Sequence, residues 1–156
     1  MKITLLTYGT RGDVPPYAVL GQHLTRRGHD VTVTACVNLT AMTEQAGLRT
    51  IPIPIDSQEF FASERGRSIL AAGKTTLFLK ELGRQEARQR EALDDALIQA
   101  CQGADLVVSG VLTAVRAASI AEAAGQRLLL VYTLPLAPIR QYASPYLLPG
   151  RTLPAG

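Results

Sequence analysis

Thr7-Tyr8-Gly9-Thr10-Arg11-Gly12-Asp13-Val14-Pro15-Pro16 is the stretch whose reading decides the fold. A short apolar strand, Ile3-Thr4-Leu5-Leu6, runs into it, and a helical pattern over roughly Pro15 to Arg27 runs out of it. Tyr17, Leu20 and Leu24 fall on one face of that helix, prolines in its first turn suit a helix start, and Gly28 ends it. Strand, glycine-bearing turn, helix: this order puts the turn at the carboxyl edge of a parallel sheet, where open α/β folds bind ligands. Asp13 is the residue of the turn suited to chemistry. Two roles are open to it: a carboxylate facing a substrate, or a cap accepting backbone N–H groups at the helix start.

Working outward, apolar runs alternate with helical patterns. A Val- and Thr-rich strand spans Asp30 to Ala35. Asn38 reads as the N-cap of a short helix through Ala46, closed by Gly47. A third strand spans Leu48 to Ile53 and is stopped by Pro52 and Pro54. Ser57 to Arg67 is ambiguous, with Phe60 and Phe61 opening a short helix as one reading. Lys74 to Cys101 reads as one long helix, weak at Gly83 and ended by Gly103, with Leu77, Leu93, Leu97 and Ala100 facing the core. Strands over Asp105 to Ser109 and Arg127 to Tyr132 flank an Ala-rich helix from Leu112 to Ala124, stopped by Gly125. The Pro-rich remainder, Thr133 to Gly156, is loop and linker. Strands apolar throughout belong in a parallel sheet covered on both faces, and right-handed crossovers then give a doubly wound, Rossmann-like α/β fold. The expected division is a Rossmann-like domain over residues 1–140 and a Pro/Gly-rich linker or truncated tail over 141–156.

Composition narrows the function classes. The chain has 156 residues, 47% of them hydrophobic, enough to bury one core. A net charge of +3 with scattered Lys and Arg and few aromatics excludes a nucleic-acid surface. Cys36 and Cys101 lie far apart in apolar segments, which reads as reduced, buried thiols in a cytoplasmic protein. The N-terminus lacks the pattern of a signal peptide, and the apolar run near Leu128 to Tyr132 is too short to span a bilayer. His23 and His29 have no ligand-spaced partners, so no metal site is expected.

Gly9-Thr10-Arg11-Gly12 has the look of a phosphate-binding turn, yet a dinucleotide fingerprint needs G-x-G-x-x-G and an acidic residue after the second strand. That strand ends in Thr34-Ala35-Cys36, which argues against NAD, and the P-loop pattern is absent.

Gly9-Thr10-Arg11-Gly12-Asp13-Val14-Pro15-Pro16 resembles the G-[ST]-R-G-D-x-x-P turn of glycosyltransferases with the two-Rossmann-domain GT-B fold, in particular the sterol and antibiotic glycosyltransferases that share the family 28 N-terminal domain. Gly28-His29-Asp30-Val31-Thr32-Val33 matches their G-H-x-V-x-[VL] strand, and Ala46-Gly47-Leu48, Ser109-Gly110-Val111-Leu112 and Ala121-Glu122-Ala123-Ala124-Gly125 are softer matches. Pro15-Pro16 stands where Gln or Glu followed by Pro is usual.

The resemblance implies the acceptor-binding half of an inverting glycosyltransferase, which moves a hexose from a nucleotide sugar to a hydroxyl of a lipophilic sterol, lipid or polyketide-like acceptor. It implies no cofactor; the nucleotide sugar is a co-substrate held mainly by a C-terminal donor domain outside this sequence, so the chain alone should not turn over. Asp13 matches the proposed base. In many relatives a loop His pairs with an Asp after the fourth strand; Val111, Leu112 and Thr113 stand there, so no dyad is expected. The acceptor wall falls to Thr10, Arg11 and Gly12 of the first loop, Phe60 and Phe61, Leu112, and Thr133 and Leu134, whose apolar members suit a greasy ligand. Arg65 to Lys80 mixes Ile69, Leu70, Leu77 and Phe78 with Arg65, Arg67, Lys74 and Lys80, a pattern for peripheral contact with a membrane or a lipid acceptor. Two further readings stay open: a non-catalytic acceptor- or membrane-recruiting subunit of a split glycosyltransferase, and an unrelated Rossmann-like nucleotide-binding domain.

Overall fold

Alternation along the first strand sets the two faces of the molecule. In the computed structural model, which describes residues 1–73 and 75–133, β1 (Lys2–Leu6) sends Ile3 and Leu5 into one hydrophobic cluster and Leu6 into another. Between them Thr4 Oγ1 donates to the carbonyl of Ala100 at 2.7 Å. The remaining strands are β2 (Asp30–Cys36), β3 (Arg49–Ile53), β4 (Leu106–Ser109) and β5 (Arg127–Leu130). All pair in parallel, in the order β3-β2-β1-β4-β5.

The helices cover the sheet on both sides, as the crossover rule requires. On one face α1 (Val14–Arg26) packs Tyr17, Ala18, Leu20 and Leu24 against Leu5, Val33 and Val108. On the other, α6 (Arg90–Cys101) and α7 (Ala114–Ala123) pack Leu93, Leu97, Ala100 and Ala117 against Leu6, Ile53 and Val107. Fully burying such a leucine stabilises the fold by about 1.5–3 kcal/mol relative to leaving it in water. The doubly wound Rossmann-like α/β fold expected from the sequence is the fold observed. Both cysteines are buried and free.

Local expectations fare unevenly. Pro52 does not stop the third strand but lies within it, opposite Ala35. β3 is an edge strand, where proline's missing N–H faces no partner strand. After the 3-10 turn Val37–Leu39, α2 (Thr40–Gln45) is headed by Leu39, so Asn38 is not its N-cap. Its side chain instead reaches across to Ser57, accepting that residue's N–H at 3.1 Å and donating to its hydroxyl at 3.2 Å. The ambiguous segment is two helices, α3 (Ser57–Ala62) and α4 (Glu64–Ala71), the second capped by Ser63, whose hydroxyl accepts the N–H of Gly66. The long helix is broken at Gln89, while Gly83 lies inside the continuous α5: α5 (Thr75–Arg88) ends before Gln89 and α6 begins after it. Arg116 on α7 spans the break, bonding Asp94 on α6 at 2.8 Å and Glu86 on α5 at 3.2 Å. β5 departs from the picture of a sheet covered throughout: Leu129 and Leu130 are 51% and 42% exposed. The expected linker, 141–156, lies outside the described residues, as does Lys74.

Two outcomes follow for stability. A Cβ at Gly83 would meet no atom within 4 Å, so Gly83→Ala removes only the entropic penalty of a mid-helix glycine. It should raise the unfolding free energy by about 0.5–1 kcal/mol, read as a higher urea midpoint at constant m. Burial pushes the Cys101 thiol up to about 11 from an ordinary 9.0. The fold thus favours the protonated thiol, so its contribution is intact below pH 9.0 and is lost as pH rises from there through about 11. Urea midpoints measured across that range should fall, and should fall less steeply in Cys101→Ala.

Candidate active site

The order of strands locates the crevice before any side chain is considered. The chain winds from β1 outward to β2 and β3, then returns to place β4 on the other side of β1. The loops leaving β1 and β4 therefore diverge, and open α/β sheets bind ligands at that point of reversal.

The loop after β1 is stitched to the end of β2. The N–H of Thr7 donates to Thr34 Oγ1 at 2.9 Å, and the same hydroxyl donates to the carbonyl of Thr7 at 2.8 Å. Two residues on, the N–H of Gly9 donates to Cys36 Sγ at 3.3 Å. The carbonyl of Thr10 then accepts the N–H groups of Asp13 and Val14 at 3.0 and 3.2 Å, turning the chain into α1. Asp13 occupies the capping position, but its side chain accepts no bond from the helix start. Instead Oδ2 turns back and accepts from the N–H and the hydroxyl of Thr10, at 2.8 and 3.0 Å. The capping role expected from local sequence is thus not taken: the turn satisfies itself through the Thr10 carbonyl, and the carboxylate braces the loop. Gly9 makes this possible. It has φ +126°, and a Cβ there would lie 2.5 Å from Asp13 Oδ2 and 3.0 Å from Leu112 Cδ1. Asp13 Oδ1 accepts no hydrogen bond among the described residues.

The turn after β4 forms the facing wall. The N–H of Gly110 donates to the carbonyl of Leu6 at 3.0 Å, and Thr113 Oγ1 donates to the same carbonyl at 2.9 Å. Tyr17, on α1, donates its hydroxyl to the carbonyl of Val131 just past β5. A Cβ on Gly110 would sit 3.0 Å from that hydroxyl, so the ring and the turn are in close contact. Burial, then the charges of Asp13 and Tyr132, push the Tyr17 phenol above its ordinary value of 10.0 and keep it a neutral donor. Among these groups lies a cleft of about 10 Å³, lined by Asp13, Tyr8, Tyr17, Leu112 and Thr133 among others. That is room for about one water.

Of the expected site residues, Asp13, Leu112 and Thr133 line this cleft, and Thr10 holds Asp13. Arg11 and Gly12 are exposed on the outer side of the loop. Phe61, on α3, does not line the cleft; Leu134 and the side chain of Phe60 lie outside the described residues. Val111, Leu112 and Thr113 bring no carboxylate to Asp13. Sequence reading took Tyr17 as core and Cys36 as a buried thiol, and gave Thr34 and Cys36 no part in the loop. Among the described residues no cluster of three His, Cys, Asp or Glu side chains suits a metal ion.

Residues 3–131 match the family model of the glycosyltransferase family 28 N-terminal domain. The chain belongs to this family. O-mycaminosyltylonolide 6-deoxyallosyltransferase of Streptomyces fradiae is 37% identical over 114 residues, which is 72% of this chain and 27% of that protein. Sterol 3-beta-glucosyltransferase of Debaryomyces hansenii is 30% identical over 153 residues, 96% of this chain and 9% of that protein. Among solved structures, CalG4, the calicheamicin glycosyltransferase, superposes with a TM-score of 0.65 at 20% identity, covering 91% of this chain and 34% of its own. The chain thus spans less than a third of either of these curated relatives. The likeness to CalG4 concerns the fold, and the family 28 domain here is the Rossmann-like domain of a GT-B architecture.

The Gly9 contact gives a direct check on the loop. Gly9→Ala must expel the Asp13 carboxylate from its seat and strain a positive φ, costing about 1–3 kcal/mol in urea denaturation. The Thr10 amide proton should shift upfield as its bond to Asp13 is lost.

Proposed function

We propose that this family 28 domain, residues 1–140 by its sequence, is the acceptor-binding part of an inverting glycosyltransferase. The reaction transfers a hexose from a nucleotide sugar to a hydroxyl of a lipophilic acceptor. The observation that carries the reading is Asp13: a half-buried carboxylate at the reversal of the sheet, lining a small cleft, with Oδ2 braced by Thr10 and Oδ1 accepting no hydrogen bond among the described residues. An alcohol is a weak nucleophile, and a carboxylate within hydrogen-bond reach lowers the barrier by taking its proton as attack proceeds. In this scheme Asp13 Oδ1 accepts the acceptor's proton. The alcohol oxygen bonds to the anomeric carbon from the face opposite the leaving group. The bond from that carbon to the phosphate oxygen breaks, and the nucleoside diphosphate departs with configuration inverted. The donor is assigned to a part of the protein outside this sequence, in keeping with relatives several times longer.

The acceptor class follows from two supports. The relatives named above act, by their names, on O-mycaminosyltylonolide and on a sterol. The cleft beside Asp13 has room for the acceptor's hydroxyl rather than its body, and Tyr8, Tyr17 and Leu112 give that spot a ring-and-aliphatic wall. Membrane-surface contact through α4 and α5 belongs to the same proposal: Leu70 is 47% exposed beside Arg67, though Ile69 is buried. No described helix is long and apolar enough to cross a membrane.

Calorimetric titration of the chain with sterols and macrolactones, and separately with sugar nucleotides, tests the division of labour. Heat is expected with acceptors alone; tight binding of a dinucleotide would overturn the reading. In the full-length protein carrying this domain, Asp13→Asn should lower kcat by about 10²–10⁴. Turnover close to that of the parent would remove Asp13 from the role of base.

A further inference from the structure

We infer that Cys36 is a positioning residue for Asp13, acting through the backbone of Gly9; the inference rests on Asp13 being the base. Gly9 and Thr10 present consecutive buried or half-buried amides, and the structure gives them different acceptors. The Thr10 N–H goes to Asp13 Oδ2 at 2.8 Å, and the Gly9 N–H goes to Cys36 Sγ at 3.3 Å. Sulfur is a weak acceptor, so this contact matters for direction more than for strength. It fixes the peptide plane entering a residue whose φ of +126° is open only to glycine, and whose Cα carries the Asp13 carboxylate against it.

The thiol is itself held firmly. Cys36 is the last residue of β2, in register with Ile53 of β3, and is 0% exposed. Ser57 lies beside the thiol and is clamped by Asn38 through its N–H at 3.1 Å and its hydroxyl at 3.2 Å. Rigid sheet and clamp therefore set where Sγ sits, and Sγ sets where the Gly9 amide points. Remove the acceptor and a buried N–H is orphaned; a buried donor left unpaired drives the chain to find another partner. An acceptor packed against Gly9 is the Asp13 carboxylate, whose Oδ2 would lie 2.5 Å from a Cβ there. Recruiting it would pull the base out of its seat on Thr10.

Three variants and their combination test this. In the isolated chain, hydrogen exchange at the Thr10 amide, whose acceptor is drawn away, should speed up at least about tenfold in Cys36→Ala and stay near the parent rate in Cys36→Ser, with the core amides of Leu5 and Val33 reporting an unchanged fold. In the full-length glycosyltransferase, Cys36→Ala should lower kcat about tenfold with KM nearly constant, a loss of the size that small misplacements of a reacting group produce, while Cys36→Ser largely restores kcat. Packing alone predicts the reverse order, since a buried hydroxyl is worse accommodated than a methyl. In Asp13→Asn, adding Cys36→Ala should cost nothing further, because both act at one group. Serine no better than alanine, or losses that multiply in the double variant, overturns the inference. Near-parent turnover of Asp13→Asn alone overturns the base assignment instead, and Thr10 exchange in Cys36→Ala then still decides whether the Cys36 contact positions Asp13.

Discussion

Parallel pairing of β1 with β4 is the constraint from which the site follows. Leu5 lies opposite Val108 and Leu6 opposite Ser109, so the two strands end level with each other. Their loops have nowhere to go but apart, because one leads to α1 on one face of the sheet and the other to α7 on the opposite face. The Leu6 carbonyl, at the end of β1, accepts both the N–H of Gly110 and the hydroxyl of Thr113. That single oxygen ties the floor of the crevice together, and everything proposed for Asp13 presumes that this floor does not move.

Much of the architecture was legible in the sequence because its determinants are local. Glycines 28, 47, 103 and 125 end helices where the chain must turn, and the apolar runs of the five strands have no helical competitor of comparable strength. What escaped reading depends on partners distant in sequence. Asn38 has the composition of an N-cap, yet its amide serves Ser57, 19 residues on. The Cys36 thiol meets Gly9 across 27 residues, and no spacing rule anticipates a weak acceptor at that range. The misplaced helix break has a different cause. Gly83 lowers helix propensity but leaves φ unaffected, whereas Gln89 carries no breaker signal; it adopts φ −119° and ψ 21° where α5 must turn to let α6 dock.

Asp13 shows how a side chain's local geometry can differ from what its position in the chain suggests. The motif marks it, and its place at a helix start suggests capping by propensity. The fold uses the carboxylate in another way, as a brace within its own turn through Oδ2, and among the described residues Oδ1 accepts no hydrogen bond. A cap would have turned the carboxylate toward the amides of the first helical turn instead of back onto Thr10. The family match identifies the lineage of the domain, while the chemistry rests on this arrangement of a few atoms.

Tyr17 joins parts of the molecule that the sheet keeps separate. Its hydroxyl is anchored on Val131, its ring lies against Gly110, and its first-turn neighbour on α1 is Asp13. Anything that tugs on the chain leaving β5 is therefore felt at the head of α1, without passing through the strands at all. The phenol works as a tie rod, so the geometry at the carboxylate is set partly from the far edge of the domain.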